Sequence, residues 1–376
     1  MRYWLMLAGL LCLSCAQRPH EHAAYLWSLS QSADYREALQ PRPAQLTQLR
    51  VLVLEIEPDG ALKWAKLPPA NLLSAWVPVV RMDGRAPVVP AESLAKQLRL
   101  RLASMPPALA IEFDHDVASA RLLEYRDWIQ AFRAAWPTSL PESRPKSLPE
   151  SRPALPSIQI TALPDWLRYR EFDQLQDVVS AISLQVHAVD DPKLGLLDVR
   201  QALAWSASMQ QRSRIPYWIA LPTYRAIIAG RVHWPDPRVL HDLETQIRAQ
   251  AGARFQGIAW FRVPTDRERN ALSAGTFRSL LAGEVQIPDA APQLVARGKR
   301  RYDLWLRNDT VWSAKLPTHL RLRGRCQAEG ASGYRRVPQS DPDAVAFQLA
   351  FNEFLPPQRR RRIAWLVCTQ TPEFYR

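Results

Sequence analysis

The feature that most constrains this chain is an eightfold alternation of short apolar runs with helical patterns in its first three quarters. Eight runs have the length and composition of strands: 24–28, 50–57, 76–80, 109–114, 157–162, 181–187, 217–221 and 256–262. Helix-period segments separate most of them. Residues 90–104 open on Pro90, and residues 119–135 set Leu122, Leu123, Tyr125, Ile129 and Phe132 largely on one face; segments 198–210 and 239–250 behave alike. Parallel neighbours need a crossover, so the alternation implies βαβ units, and eight of them predict an α/β fold with a closed (β/α)8 TIM-like barrel. The first two crossovers show the weakest helical pattern. After about Pro288 the period becomes two, in Tyr302-Asp-Leu-Trp-Leu-Arg-Asn, in Thr318-His-Leu-Arg-Leu-Arg-Gly and in the apolar run within 361–369. That pattern predicts a small antiparallel, β-rich C-terminal module. The expected organisation is a signal segment at 1–15, the barrel at 16–287 and the β module at 288–376. Within the barrel, Ser-Leu-Pro-Glu-Ser-Arg-Pro occurs twice, making 138–156 a Pro-rich insert without a hydrogen-bonded ladder.

Side-chain parity assigns strand faces, because residues two apart on a strand point the same way. In the fourth strand Ile111 and Phe113 face the helices, leaving Glu112, Asp114 and Asp116 toward the axis, and His115 falls on the helix side. The fifth strand turns Gln159 and Thr161 inward, and the sixth Ser183, Gln185 and His187. In the second, Leu52, Leu54 and Ile56 face out, with Glu55 and Glu57 inward. Unpaired buried carboxylates cost several kcal/mol each, about 3–5 by the usual measure, so an acidic set belongs at an open, wet mouth.

Glu112-x-Asp114-x-Asp116 is the sharpest constellation. Like charges packed together raise at least one pKa, so one carboxyl holds a proton while another stays ionised, the pairing that glycosidic cleavage requires. In that role Asp116 is the general acid, Asp114 the stabilising anion and Glu112 a supporting partner. The competing reading has the carboxylates paired with barrel arginines or holding a cation. Gln185 and His187 are candidate binders of substrate hydroxyls, and Asp165, Trp166, Tyr224 and Trp260 are candidates on the mouth loops and strand ends, since aromatic rings stack on sugars. Each is equally compatible with core or rim packing.

The first residues, Met-Arg-Tyr-Trp-Leu-Met-Leu-Ala-Gly-Leu-Leu-Cys-Leu-Ser-Cys, form a basic start and an apolar stretch too short to span a bilayer, as an export signal does. Leu13-Ser14-Cys15 resembles a lipoprotein signal with Cys15 lipidated; ordinary cleavage near Cys15 is the alternative. The expected location is therefore periplasmic or outer-membrane-associated, with the membrane reached by the lipid anchor alone. In an oxidising compartment Cys326 and Cys368 are either a disulfide or two buried thiols. The formal charge of +13 suits an anionic envelope surface or nucleic acid; the export signal and the lack of a base-reading motif count against nucleic acid. No Gly-rich phosphate loop, serine nucleophile elbow or zinc-spaced His or Cys set occurs, so neither cofactor nor metal is expected.

Five motifs in order, Ile-Glu-Phe-Asp-His-Asp, Ile-Gln-Ile-Thr-Ala-Leu-Pro-Asp-Trp-Leu, Leu-Gln-Val-His-Ala-Val-Asp, Ile-Ala-Leu-Pro-Thr-Tyr and Gly-Ile-Ala-Trp-Phe-Arg-Val-Pro, resemble a family of bacterial exported proteins of unknown function. The resemblance covers most of 25–323 and implies a glycosidase-like barrel with no established activity. More distantly, the chain is similar to family 18 glycoside hydrolases, which carry D-x-D-x-E on the fourth strand and a sugar-flooring Trp at the end of the eighth. Glu112, Asp114 and Asp116 match the first, with Asp116 where that family has glutamate, and Trp260 matches the second. The resemblance implies a glycoside hydrolase acting on a polysaccharide. A non-catalytic glycan-binding protein and a structural envelope lipoprotein are the rival readings.

Overall fold

The computed structural model describes residues 21–28, 35–40, 42–83, 89–136, 157–187, 195–265, 272–350 and 353–375. Cys15 and the Pro-rich insert lie outside these. Eight strands form the barrel: β1 (Glu21–Leu26), β2 (Leu46–Ile56), β3 (Trp76–Met82), β4 (Ala110–His115), β5 (Ser157–Ala162), β6 (Ala181–Gln185), β7 (Tyr217–Pro222) and β8 (Phe255–Phe261). All neighbours pair in parallel, and β1 pairs with both β2 and β8, which closes the sheet. At that seam Glu21 stands opposite Gly257, whose φ is +152°; a Cβ there would collide with the Glu21 carbonyl oxygen.

Helices follow most strands: α1 (Arg36–Leu39), α2 (Ala91–Leu102), α3 (Leu122–Ala135), α4 (Glu171–Gln176), α5 (Val199–Arg212), α6 (Pro237–Gln250) and α7 (Ala274–Leu281). The first two crossovers are the irregular ones. Among the described residues the first holds only the single turn α1, and the second has a hairpin strand, Leu62–Trp64, and a short 3-10 turn in place of a helix. Later helices start at side-chain caps: Asp198 accepts from the Gln201 amide at 2.8 Å, and Asp236 precedes Pro237 and accepts from the Arg238 amide at 3.0 Å. Among the described residues no helix is long and apolar enough to cross a membrane.

Two apolar layers result. The larger lies between strands and helices, where Ile111 and Phe113 meet Ile129 and Phe132, and Ile219 and Ile258 share a core with Leu240 and Ile247. The smaller lies on the axis and contains Ala23, Tyr25, Val79, Trp218, Ala220 and Ala259. Strand β2 has an irregularity between Leu52 and Leu54, so Arg50 points inward although it lies an odd interval from inward Glu55. Simple alternation therefore fails there: Leu52 is buried but does not join the outer layer, which takes Val51 and Val53 instead.

The C-terminal module contains two four-stranded antiparallel sheets. One is ordered β9 (Ala291–Gly298), β10 (Arg301–Asn308), β15 (Arg359–Cys368), β12 (Cys326–Gly330). The other is ordered β13 (Tyr334–Val337), β14 (Ala344–Leu349), β11 (His319–Arg323), β16 (Glu373–Phe374). Leu304, Leu306 and Ile363 of the first share one core with Leu320, Leu322 and Phe347 of the second. Cys326 and Cys368 stand opposite each other in register and form a disulfide. The module is fixed to the barrel at the start of α7: the Ser313 amide donates to Thr276 Oγ1 at 2.7 Å, and the Ser273 amide to Ser313 Oγ at 3.1 Å.

Candidate functional site

At the C-terminal ends of the strands a cavity of about 210 Å³ opens, lined by Tyr25, Trp27, Glu55, Arg81, Asp114, Asp116, Thr161, Gln185, His187, Ala220, Tyr224 and Phe261. Parity delivers most of this set: Tyr25, Asp114, Thr161 and Gln185 are the last inward residues of β1, β4, β5 and β6. The cavity has two contrasting walls.

The acidic wall is built by β2, β3, β4 and β5. Asp114 is 5% exposed; its Oδ1 accepts from Thr161 Oγ1 at 2.6 Å and its Oδ2 from Arg81 Nη1 at 3.0 Å. Arg81 Nη2 donates to Asp116 Oδ2 at 2.8 Å, so one guanidinium edge spans both carboxylates. Asp116 lies just past β4, is 40% exposed at its side chain, and leaves Oδ1 without a hydrogen bond among the described residues. Burial pushes the Asp114 carboxyl up, with Arg81 opposing and Asp116 adding to the rise. Burial likewise disfavours the charge on Arg81, but Asp114 and Asp116 outweigh it and hold the guanidinium charged. The Glu55 side chain, beside Arg81 across the β2–β3 pairing, makes no hydrogen bond or ion pair among the described residues, although its charge acts on Lys63.

The aromatic wall centres on Phe261. Its ring lies 4.8 Å from Trp27, 5.3 Å from Tyr25, 5.6 Å from Tyr224 and 5.7 Å from His187. His187 Nδ1 is 3.5 Å from the Tyr224 hydroxyl, and Gln185 Nε2 donates to the His187 carbonyl at 3.1 Å. Burial lowers the His187 pKa to about 3, so the ring is neutral across the physiological range. Its Nε2 has no hydrogen-bond partner among the described residues. Burial also pushes the Tyr224 hydroxyl up to about 12.

Several expected site residues stand elsewhere. Glu112 lies one layer below the mouth, fully buried on the axis. Its Oε1 accepts from the Tyr25 hydroxyl at 2.7 Å, and its Oε2 from Arg50 and from Ser183 Oγ, the latter at 3.4 Å. Arg50 also lies over the Tyr25 and Trp218 rings, at 5.4 and 5.3 Å. Glu112 is thus a structural anion with both oxygens occupied and no access to a ligand. Trp260 faces the helices: it is fully buried in the outer core and donates Nε1 to His22 Nδ1 at 3.0 Å. The inward place at that strand end belongs to Phe261, one residue on. Trp166 is also fully buried, donating Nε1 to the Val117 carbonyl at 3.1 Å. Asp165 sits on the exposed turn after β5, bonded by Ser119, and does not line the cavity. Glu57 leaves the barrel and pairs with Lys63 at 2.6 Å. His115 points to the helix side, edge-on to Tyr125. Gln185, His187, Tyr224, Asp114 and Asp116 do meet in one cavity, joined by Tyr25, Trp27, Glu55, Arg81 and Phe261. Among the described residues no cluster of three or more metal-ligating groups occurs.

Residues 74–234 match the family described as Domain of unknown function (DUF3142). The barrel carries a DUF3142 domain. The matched span contains Arg81, Asp114, Asp116, Thr161, Gln185, His187 and Tyr224, whereas Tyr25, Trp27, Glu55 and Phe261 lie outside it. The mouth of the DUF3142 barrel is thus completed by β1, β2 and β8. Residues 293–369 match a second family, Domain of unknown function (DUF8456), and cover most of the β module. No curated protein matches the sequence. Among solved structures the chain is similar to the spore cortex-lytic enzyme SleL of Bacillus cereus, at 12% identity and TM-score 0.44 over 71% of this chain and 75% of that one. It is also similar to the xylanase and alpha-amylase inhibitor protein XAIP-II of Scadoxus multiflorus, at 10% identity and TM-score 0.46 over 71% and 99%. Chitinase ChiA74 of Bacillus thuringiensis aligns at 6% identity and TM-score 0.42 over 95% and 99%.

Proposed function

We propose that the mouth of the barrel is a saccharide-binding site. The observation that carries this reading is the pairing of an aromatic wall (Tyr25, Trp27, Tyr224, Phe261) with a wall of hydrogen-bonding acids and amide around one cavity. A pyranose ring has apolar C–H faces that pack on aromatic rings and an equator of hydroxyls that donate to carboxylates and to a neutral imidazole nitrogen. The cavity has the scale of one sugar ring and opens outward, as a site for one unit of a polymer requires. Calorimetric titration with oligosaccharides of several backbones tests the proposal. Binding by at least one, weakened by Phe261→Ala, is expected; no binding across the set would overturn it.

A second reading, hydrolysis of the bound glycan, is favoured by the acid pair. Burial pushes the Asp114 carboxyl up, so it can hold a proton beside Asp116, whose Oδ1 makes no hydrogen bond among the described residues. In this reading the proton goes to the leaving oxygen as the anomeric bond breaks, and water supplies the new hydroxyl. Product release by the wild type, lost in Asp114→Asn and Asp116→Asn with the fold retained, supports it. Binding without product over long incubation leaves the site non-catalytic.

An exported location belongs to the same proposal. The Cys326–Cys368 disulfide fits an oxidising compartment. Incorporation of labelled palmitate that Cys15→Ser abolishes is the expected outcome for a lipid-anchored form, and absence of label would overturn the anchor.

A further inference from the structure

The chain as a whole is strongly cationic, at +13, yet the cavity at the barrel mouth has the opposite sign. Among the described lining residues, Glu55, Asp114 and Asp116 face one guanidinium, that of Arg81. Arg81 directs Nη1 to Asp114 and Nη2 to Asp116, so the Glu55 side chain, which feels the Lys63 charge, forms no ion pair of its own among the described residues. The nearest other cations are engaged outside the lining. Lys63, opposite Glu55 in the hairpin, turns its ammonium to Glu57 at 2.6 Å, and Arg262 donates to the Trp27 carbonyl at 3.3 Å. His187 adds no positive charge, because its buried ring stays neutral. It is 3% exposed, and its unpartnered Nε2 is a second polar group directed at whatever fills the cavity. The opposite wall offers the rings of Trp27, Tyr224 and Phe261, whose faces favour a cation over an anion.

We infer that the mouth selects a saccharide unit carrying a free primary ammonium, a de-N-acetylated hexosamine, with Glu55 as the carboxylate that receives the ammonium. This rests on the saccharide reading of the site and narrows it. A primary ammonium supplies three donors, and Glu55 has both carboxylate oxygens available. An acetamido group would cancel the charge and leave Glu55 without its ionic partner. A uronate would set a carboxylate against three others. The net charge of the protein works against a cationic ligand, so a preference for one would be set locally by the cavity and not by the surface as a whole.

The test uses the full mature chain in calorimetric titrations with three tetrasaccharides of related β-1,4 backbone: glucosamine, N-acetylglucosamine and glucose. The first should bind about tenfold more tightly than the other two, the factor commonly contributed by one charge-assisted hydrogen bond. In Glu55→Gln the ratio between the amine and glucose tetramers should fall to near one, and raised salt should narrow it in the wild type. If all three bind equally, or if Glu55→Gln keeps the amine preference, the inference is overturned while the saccharide site stands. If none binds, the saccharide site itself falls.

Discussion

Replacing Glu112 by Gln tests whether this residue is a structural anion, as its position implies, or a working member of the acidic constellation. The side chains of Arg50 and Glu112 are both 0% exposed, and Nε and Nη2 of Arg50 have no hydrogen-bond partner among the described residues. The amide in Glu112→Gln keeps the shape and an oxygen for the Tyr25 hydroxyl, but it removes the one anion in contact with the guanidinium. Leaving a buried charge without its partner costs about 3–5 kcal/mol. Arg50→Met combined with Glu112→Gln removes both charges and keeps the Tyr25 acceptor, so a large part of that loss should return. A coupling of roughly 2 kcal/mol or more is expected from the double-mutant cycle. Urea unfolding followed by tryptophan emission reads this directly, since Trp218 lies against Arg50, provided the m values of the variants agree. Saccharide binding at the mouth should persist in Glu112→Gln. A loss below about 1 kcal/mol, or an absence of coupling, would show that the axis is not organised around a buried ion pair.

Three further outcomes follow from the geometry. Phe261→Ala should weaken saccharide binding at least tenfold, as removal of a stacking ring worth ~1.5 kcal/mol does, whereas Trp260→Phe should leave binding intact and lower stability by losing the bond to His22; calorimetry and urea midpoints separate the two. Asp114 has its folded-state pKa raised by burial, so its contribution to stability is full below the unfolded carboxyl range and is lost as pH rises through the folded value; Asp114→Asn should therefore gain on the wild type as pH increases over that window, and a difference that is flat with pH would contradict the burial argument. Replacing Cys326 and Cys368 by Ser opens a link between residues 42 apart, for which chain entropy gives about 4 kcal/mol; limited proteolysis should then cut within the β module before the barrel, and equal rates would count against its role there.

Much of the fold was legible because a parallel barrel repeats one signal eight times, and each strand had only to show an apolar outward face. Asp114, Gln185 and His187 follow from the same parity, since each alternates with an apolar outward set at the C-terminal end of its strand. The errors have local causes. Resemblance to a sugar-flooring tryptophan points to Trp260, although parity from Ile258 places it outward and Phe261 inward. Arg81 lies one residue past the run read as the third strand, and an inward arginine at a strand end was the available sign of a partner for the acids. Glu55 faces inward by parity, but nothing in the sequence ties it to the mouth. Arg50 precedes the apolar run Val51–Leu54, where no periodicity marks it, and the irregularity between Leu52 and Leu54 hides its face. Glu112 has the same parity as Asp114; depth along the axis separates a structural carboxylate from a mouth carboxylate, and spacing alone does not encode depth.

The most direct test of the saccharide site is NMR of the imidazole signals during titration with the glucosamine tetramer. The protein has seven histidines, and the ring of His187 lines the mouth while His22 lies at the opposite end of the barrel. His187 should be neutral from pH 5 to 8, consistent with its depressed pKa of about 3, and its signal should move with added saccharide while that of His22 stays in place. Saturable binding that leaves His187 unmoved, or shifts confined to histidines away from the cavity, would contradict the account.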